Sequence, residues 1–502
     1  MKFLQTSLAL GAASLASATV DGEGLPPYCC QSLVQAGLGT KLSYSGEEAY
    51  ENSVGSYWSE IAQIRPTCIL QPETPADVSL AVSTLVLASE EQQCQFAVRS
   101  GGHTTWAGAA NIEDGVTIDL SKMNSVSYDK TEQTVSIQPG ARWGHVYEYL
   151  DGIGVAVAGG RAATVGVAGL VLGGGNSFYS GQSGMVCDNV KNFEIVLASG
   201  ELINANSEEN VDLFKSLKGG SNNFGIVTRF DMYAFEGGDL WGGVMTYDPS
   251  TAKEQISAFV NFANNIEEDP SASTILIWKY MSTLGESMIL NAYEYTKPVA
   301  EPPAFQEFME IESTSSSMRI TNITDLTWEL EQAAGFRDTF WTITFENDAK
   351  VLEKMVKLHD ELAKKLTKSG VTSEWTMANM IQPIPTLFAD HGVEKGGNVL
   401  GLDRATKNLV LFQIYLAWDK VEEDEVFHEA GEYMIAELSS FAQEAGKDNE
   451  FIYLDYAFKN QNPLKSYGPA NVQLLKETAA KYDPTGVFQS LVPGGFKISK
   501  VE

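Results

Sequence analysis

The sequence predicts an α+β fold in two domains. Three observations carry this expectation. The chain has 502 residues, 44% of them apolar and 10% aromatic, which is more than one ordinary core absorbs. Its first half alternates short β-like runs with glycine-rich loops, and from about residue 237 long strand patterns come in blocks with amphipathic helices. Formal charge is -31, from 34 basic against 65 acidic residues, and the basic residues are scattered. Phosphate-backbone binding relies on clustered Lys and Arg, so nucleic acid is not an expected partner. The acidity describes a soluble surface and says nothing of a substrate.

The elements follow in order. Residues 1 to 18, MKFLQTSLALGAASLASA, place Lys2 before a Leu- and Ala-rich run that ends in Ala16-Ser17-Ala18. That pattern predicts a signal peptide and a secreted, extracellular chain beginning near Thr19. No later segment reaches the roughly 18 to 20 uninterrupted apolar residues that span a bilayer, so no membrane anchor is expected. Five cysteines in an exported chain predict disulfides with one thiol left over. Cys29 and Cys30 are each expected to reach for Cys68 or Cys94, with the pairing left open, and Cys187 stands apart in GMVCDNV. The sequon Asn322-Ile323-Thr324 is a candidate glycan site on a surface loop.

DVSLAVSTLVLASE (77 to 90) has the spacing of a helix, and QFAVR, GVTIDL, TVSIQ, NFEIVLASGELINA and GIVTRFDMYAF read as β-like runs. WGGVMTY, STILIWKYM, SMILNAYEY and NLVLFQIYLAW predict long strands of a second sheet. AKVLEKMVKLHDELAKKL (349 to 366) and EVFHEAGEYMIAELSSFAQEAG (425 to 446) predict the helices backing one of its faces. EPPAFQEF (301 to 308) connects them, and YGPANVQLLKETAAKYDPTGVFQS is a closing helix whose destination the sequence leaves open.

Three loops concentrate glycine with almost no charge: RSGGH (99 to 103), TVGVAGLVLGGGNS (164 to 177) and LKGGSNNFGIVT (217 to 228). Without a β-carbon, glycine lets backbone N–H groups converge on an oxyanion, so the trio predicts a large phosphate-bearing ligand held without lysine. Competing motifs fail. The nearest dinucleotide fingerprint, Gly152-x-Gly154-x-x-Val157, lacks its third glycine, and there is no Walker A loop, G-x-S-x-G elbow, H-E-x-x-H or paired C-x-x-C, so no metal is expected. His145, His359, His391 and His428 read as structural, three in helical patterns and one in a loop. His103 differs: it follows two glycines at a strand end, where little bulk shields it, and a neutral imidazole can bond to an electrophilic cofactor.

These residues carry a family likeness. RSGGH, GVTIDLSKMNSV, VGVAGLVLGGGNSF, DNVKNFEIVLASGELINAN, NNFGIVTRF and YGPANVQLLKETAAKYDPTGVFQ, in that order, resemble the secreted fungal FAD-linked oxidases of the berberine bridge enzyme-like group. That group lies within the vanillyl alcohol oxidase superfamily, which has the PCMH-type FAD-binding fold. The resemblance implies an FAD domain from residues 19 to 235, completed by 452 to 502. An α+β substrate domain, an antiparallel sheet backed by helices, is inserted at 236 to 451. It implies FAD bonded through its 8α carbon to His103. Arg99, Ser100, Gly101, Gly102 and Thr104 would cradle the pyrophosphate. Val165, Gly166, Gly169, Gly173, Gly174, Gly175 and Asn176 would line the flavin, and Ile226 and Val227 would meet the adenine end.

The chain departs from the family twice. Ala162 occupies the position of the cysteine that gives many relatives a second bond to flavin, which implies a single tether. Leu170 stands where a histidine often follows the paired glycine. The chemistry implied is hydride transfer from an alcohol to flavin, reoxidised by dioxygen to hydrogen peroxide, with a base taking the hydroxyl proton. The family's tyrosine segment reads Tyr453-Leu454-Asp455-Tyr456, making Tyr456 the first candidate base and Tyr453 the reserve. A tyrosine, with an ordinary pKa of about 10, needs a neighbour to act near neutrality. Gln413 matches a substrate-facing position, Leu411 replaces an acid or base found in some relatives, and Val165 matches the residue that goes with oxygen as acceptor. Three functions stay open: oxidation of a small, secondary-metabolite-like alcohol, oxidation of oligosaccharides, and flavin binding with little turnover.

Overall fold

The computed structural model describes residues 27–502, and the expected signal peptide at residues 1 to 18 lies outside them. Four short strands form a first sheet in the order Leu42–Ser43, Cys68–Leu70, Val116–Asp119, Phe96–Arg99. The last three run parallel, and the helix Pro75–Ala88 supplies a crossover such pairing needs. Thr74 caps that helix by accepting from the Asp77 N–H, while the Asp77 carboxylate takes the Thr74 N–H. Pro75 stands in the first turn, where a missing donor costs nothing. Disulfides Cys29–Cys94 and Cys30–Cys68 tie the amino end to both sides of the crossover, and Cys187 is a buried free thiol.

A second, antiparallel sheet has the order Val126–Asp129, Thr134–Ile137, Ile226–Tyr233, Val190–Val196, Leu202–Asn206. The run NFEIVLASGELINA is therefore two strands rather than one. Ser199 and Gly200 turn the chain between them, and Gly200 takes a positive φ of 83°.

The third sheet has nine strands among the described residues. Its centre runs Leu240–Tyr247, Glu286–Tyr295, Ala272–Met281, Trp375–Ile384, Leu409–Trp418, Arg337–Glu346, all antiparallel. The strands Trp375–Ile384 and Arg337–Glu346 gave no sequence signal. Both are buried on two faces and carry inward polar groups such as Gln382, Asp338 and Thr342, so neither alternates apolar with polar. Helices Ala252–Asn265, Ala349–Lys368 and Asp424–Glu444 cover one face, packing Phe259, Leu358 and Met434 onto Leu276, Ile381, Phe412 and Ile414. Each such side chain contributes roughly 1.5–3 kcal/mol by burial. The alternate residues, Ile275, Ile277, Met380, Gln413 and Phe340, face the other way.

The closing helix Pro469–Tyr482 returns to the first part of the chain. Leu475 joins the core of Phe214 and Leu217, and the Tyr482 hydroxyl donates to Asp212 at 2.8 Å. All four histidines other than His103 lie in helices, His391 included. His359 is fully buried between Asn379 and Ser287, and burial pulls it down to about 4, so it is a neutral core residue.

Candidate functional site

A cavity of 390 Å³ lies between the glycine loops and the open face of the third sheet. The first loop leaves the carboxyl end of strand Phe96–Arg99, beside its parallel partner, which is where open sheets of this kind hold ligands. The second loop runs into the short helix Val167–Gly173, and the third leads into strand Ile226–Tyr233. First and second loops touch: a β-carbon on Gly101 would lie 2.5 Å from Gly166 Cα, so both positions require glycine. Arg142 locks the contact from below, donating to the carbonyls of Thr164 at 2.7 Å and Gly101 at 2.8 Å.

Most of the predicted cofactor residues meet at this cavity. Ser100, Gly101, Gly102, His103 and Thr104 line it from the first loop. Val165, Gly166, Gly169 and Asn176 line it from the second, and Ile226 and Val227 from the third. Four do not. The Arg99 guanidinium turns into the core, donating to Ser53 and Ser56 and lying 3.8 Å over the Tyr57 ring. It braces the loop from behind, and Gly102, at φ 68°, passes so close that a β-carbon would meet Arg99 Nε at 2.8 Å. Gly173, Gly174 and Gly175 also leave the lining. A side chain on Gly173 would strike the Asp455 carboxylate, one on Gly174 would press Leu400 at 3.1 Å, and one on Gly175 would meet Val186 at 2.5 Å. They seat the loop against its neighbours, which is why bulk is excluded there.

His103 lines the cavity at the end of the first loop. Trp58 stacks on its ring, centroids 4.5 Å apart and planes 11° apart. Its Nε2 lies 3.2 Å from the Thr164 hydroxyl and 3.8 Å from Glu331. Thr164 in turn donates both its hydroxyl and its N–H to the Glu331 carboxylate, the latter at 2.9 Å. Burial raises the Glu331 carboxyl, but the nearby His103 imidazole and the hydrogen bonds from Thr164 outweigh it and hold it below the ordinary range.

The sheet side is largely apolar, with Ile275, Ile277, Ala292, Phe340 and Met380 around Gln413 and Gln382. Tyr456 projects into this part, its hydroxyl accepting from Arg161 at 3.0 Å and from Gln382 at 3.4 Å. Tyr453 is otherwise engaged: buried, it donates to Asp455 at 2.7 Å, and burial pushes its hydroxyl well above the ordinary value. Asp455 lines the cavity, so the surface it shows faces that space, and burial pushes its carboxyl up to about 7. Leu411 is fully buried beside this face, and Ala162 lines the cavity with no nucleophile. Cys187 is not among the lining residues, and its thiol, raised far by burial, is inert.

Sequence reasoning missed Trp58, Arg142, Arg161, Glu294 and Glu331. None belongs to a motif. Glu294 follows Ala292 by two residues on the same face, with Oε2 lacking a partner, and burial pushes it up to about 8. A buried acidic residue within an alternating strand is the one signal that pointed inward.

The residues fit a flavin nucleotide: backbone-lined loops, with Arg161 the one cationic side chain among the lining residues, and a histidine backed by Trp58 that lines the cavity beside an apolar chamber. Residues 66–206 match the model of a family described as FAD binding domain. The chain is 42% identical over 474 residues to an FAD-dependent monooxygenase of Emericella nidulans, sdcF, covering 94% of this chain and 98% of that protein. It is 41% identical over 475 residues to the FAD-dependent monooxygenase drtC of Aspergillus calidoustus, covering 94% and 90%. The structure of a berberine bridge enzyme variant superposes with a TM-score of 0.72 at 14% identity, covering 92% of this chain and 97% of that one.

Proposed function

Because the chain belongs to the berberine bridge enzyme-like family of FAD-dependent oxidoreductases, we propose that it oxidises a small, hydroxylated, largely apolar molecule of the secondary-metabolite kind. The flavin is bonded once, to His103. The observation that carries this reading is the pairing of Tyr456, with Arg161 and Gln382 on its oxygen, and an apolar chamber of Ile275, Ile277, Phe340 and Met380. Flavin bound here supplies the hydride acceptor and the route by which electrons reach dioxygen.

The protein's own part is binding, orientation and proton transfer. Phe340 and Met380 receive the apolar body of the substrate, and Gln413 offers a hydrogen bond that orients its hydroxyl. Arg161 and Gln382 both donate to the Tyr456 oxygen and aim it into the chamber, so Tyr456 is the group placed to take the hydroxyl proton. An apolar chamber argues against oligosaccharides, which need a polar, open cleft. A His103 link needs no second tether, and Ala162 supports one bond alone. Two disulfides near the amino end support a chain exported to an oxidising compartment. Asn322, exposed at a helix start with Oδ1 accepting from the Asp325 N–H, leaves its Nδ2 open to a glycan.

A second reading, insertion of an oxygen atom into the substrate, is favoured by the names of the relatives at 41% and 42% identity. Turnover under isotopically labelled dioxygen separates the two. Peroxide formed one for one with an unlabelled product supports the proposal, and label in the product supports the second reading. Turnover on cello- or chito-oligomers, with none on aromatic or aliphatic alcohols, would overturn the substrate class.

A further inference from the structure

We propose that Glu331, acting through Thr164, fixes the tautomer of His103 and receives the proton that the imidazole gives up as it becomes bonded to flavin. The inference rests on His103 being the attachment point. A threonine hydroxyl has one hydrogen, and here it goes to the Glu331 carboxylate, which the Thr164 N–H also holds at 2.9 Å. The Thr164 oxygen is left as an acceptor, so His103 Nε2, 3.2 Å away, carries the ring hydrogen and Nδ1 keeps the lone pair. A carboxylate that orients a histidine through its far nitrogen plays the same part in hydrolytic triads.

The surroundings keep this geometry rigid. Trp58 holds the ring plane by stacking, and its own N–H donates to the Gln332 carbonyl at 3.3 Å, one residue beyond Glu331. Arg142 ties the histidine loop to the threonine loop through the carbonyls of Gly101 and Thr164. Glu331 follows the helix Ile323–Glu329 in the inserted part of the chain, so the nucleophile is completed only when that part is folded against the glycine loops.

The net step balances. A bond forms between His103 Nδ1 and the 8α carbon of the flavin. One C–H bond of the 8α methyl and the imidazole N–H bond are lost. Two electrons pass by way of the flavin to dioxygen, which with the two protons becomes hydrogen peroxide. Alkylation at Nδ1 leaves the ring cationic until its Nε2 proton moves through Thr164 to Glu331, which is placed to take it.

Wild type, Glu331→Gln, Thr164→Val, Thr164→Ser and His103→Ala, each produced in a riboflavin-limited host, are incubated with FAD in air. Polypeptide-bound flavin fluorescence is followed after denaturation, alongside noncovalent FAD binding and Tm. Glu331→Gln and Thr164→Val are expected to bind FAD as wild type does, yet to form the bond about tenfold or more slowly. Thr164→Ser, which keeps the hydroxyl, is expected to stay near the wild-type rate. Bond formation at the wild-type rate in Glu331→Gln overturns the proposal. Should that variant fail to fold, equal rates for Thr164→Val and Thr164→Ser overturn it. Wild type that releases its flavin as His103→Ala does overturns the attachment reading itself, a different failure.

Discussion

At the scale of single residues, two neighbouring tyrosines are separated by their partners. Tyr456 has two donors on its oxygen and an open cavity before it, whereas Tyr453 is buried and spends its hydrogen on Asp455. Tyr456→Phe is expected to lower kcat by about 10²–10⁴-fold with little change in substrate Kd, because only the proton transfer is lost. Tyr453→Phe is expected to leave the rate nearly intact and to lower Tm, since it strips the hydrogen-bond donor from buried Asp455. Steady-state kinetics beside thermal melts check both. The sequence put Tyr456 ahead of Tyr453 by resemblance alone, because the partners that separate them physically, Arg161 and Gln382, lie 295 and 74 residues from Tyr456.

At the scale of elements, the glycine loops hold their shape through contact rather than charge. Gly101→Ala places a methyl 2.5 Å from Gly166 Cα, backbone against backbone, and neither loop can retreat while Arg142 clamps both. The variant is expected to purify with well below one FAD per chain, read from the absorbance ratio of flavin to protein. In the sheet, Gln413 pairs with Met380 and Thr342 on the cavity face. Gln413→Leu is expected to raise KM while FAD content stays at wild type. Loops rich in glycine and strands with alternating faces were legible from sequence, as was the closing helix. The strands Arg337–Glu346 and Trp375–Ile384 were not, because polar residues on a cavity-facing side erase the alternation that marks a half-buried strand. Arg99 misled for a related reason: a motif fixes where the backbone goes, and the guanidinium followed Tyr57 and Asp119 into the core.

At the scale of the whole molecule, the carboxyls that burial raises furthest, Asp338, Asp455 and Glu294, lead the response to pH. Burial pushes Asp338 and Asp455 to about 7 and Glu294 to about 8, against ordinary values of 3.8 and 4.5. The unfolded chain ionises these groups near their ordinary values, so between those and the raised ones the folded state binds more protons. Stability contributed by the neutral forms is full below the ordinary range and falls as pH rises toward 7 to 8. The formal charge of -31 acts in the same direction through self-repulsion. Tm is expected to decline from about pH 5 to about pH 8, and Glu294→Gln is expected to flatten the decline, as calorimetry across that range would show. Composition announced the acidity, but which carboxyls burial raises furthest depends on how the sheet closes over the loops.

The central claim, flavin carried on one imidazole within a backbone cradle, is met most directly by mass spectrometry of the purified protein after acid denaturation. The expected result is a polypeptide heavier by one FAD, with the added mass on the peptide containing His103 and none on any cysteine peptide. A bare polypeptide, with all the yellow left in the supernatant, would contradict it.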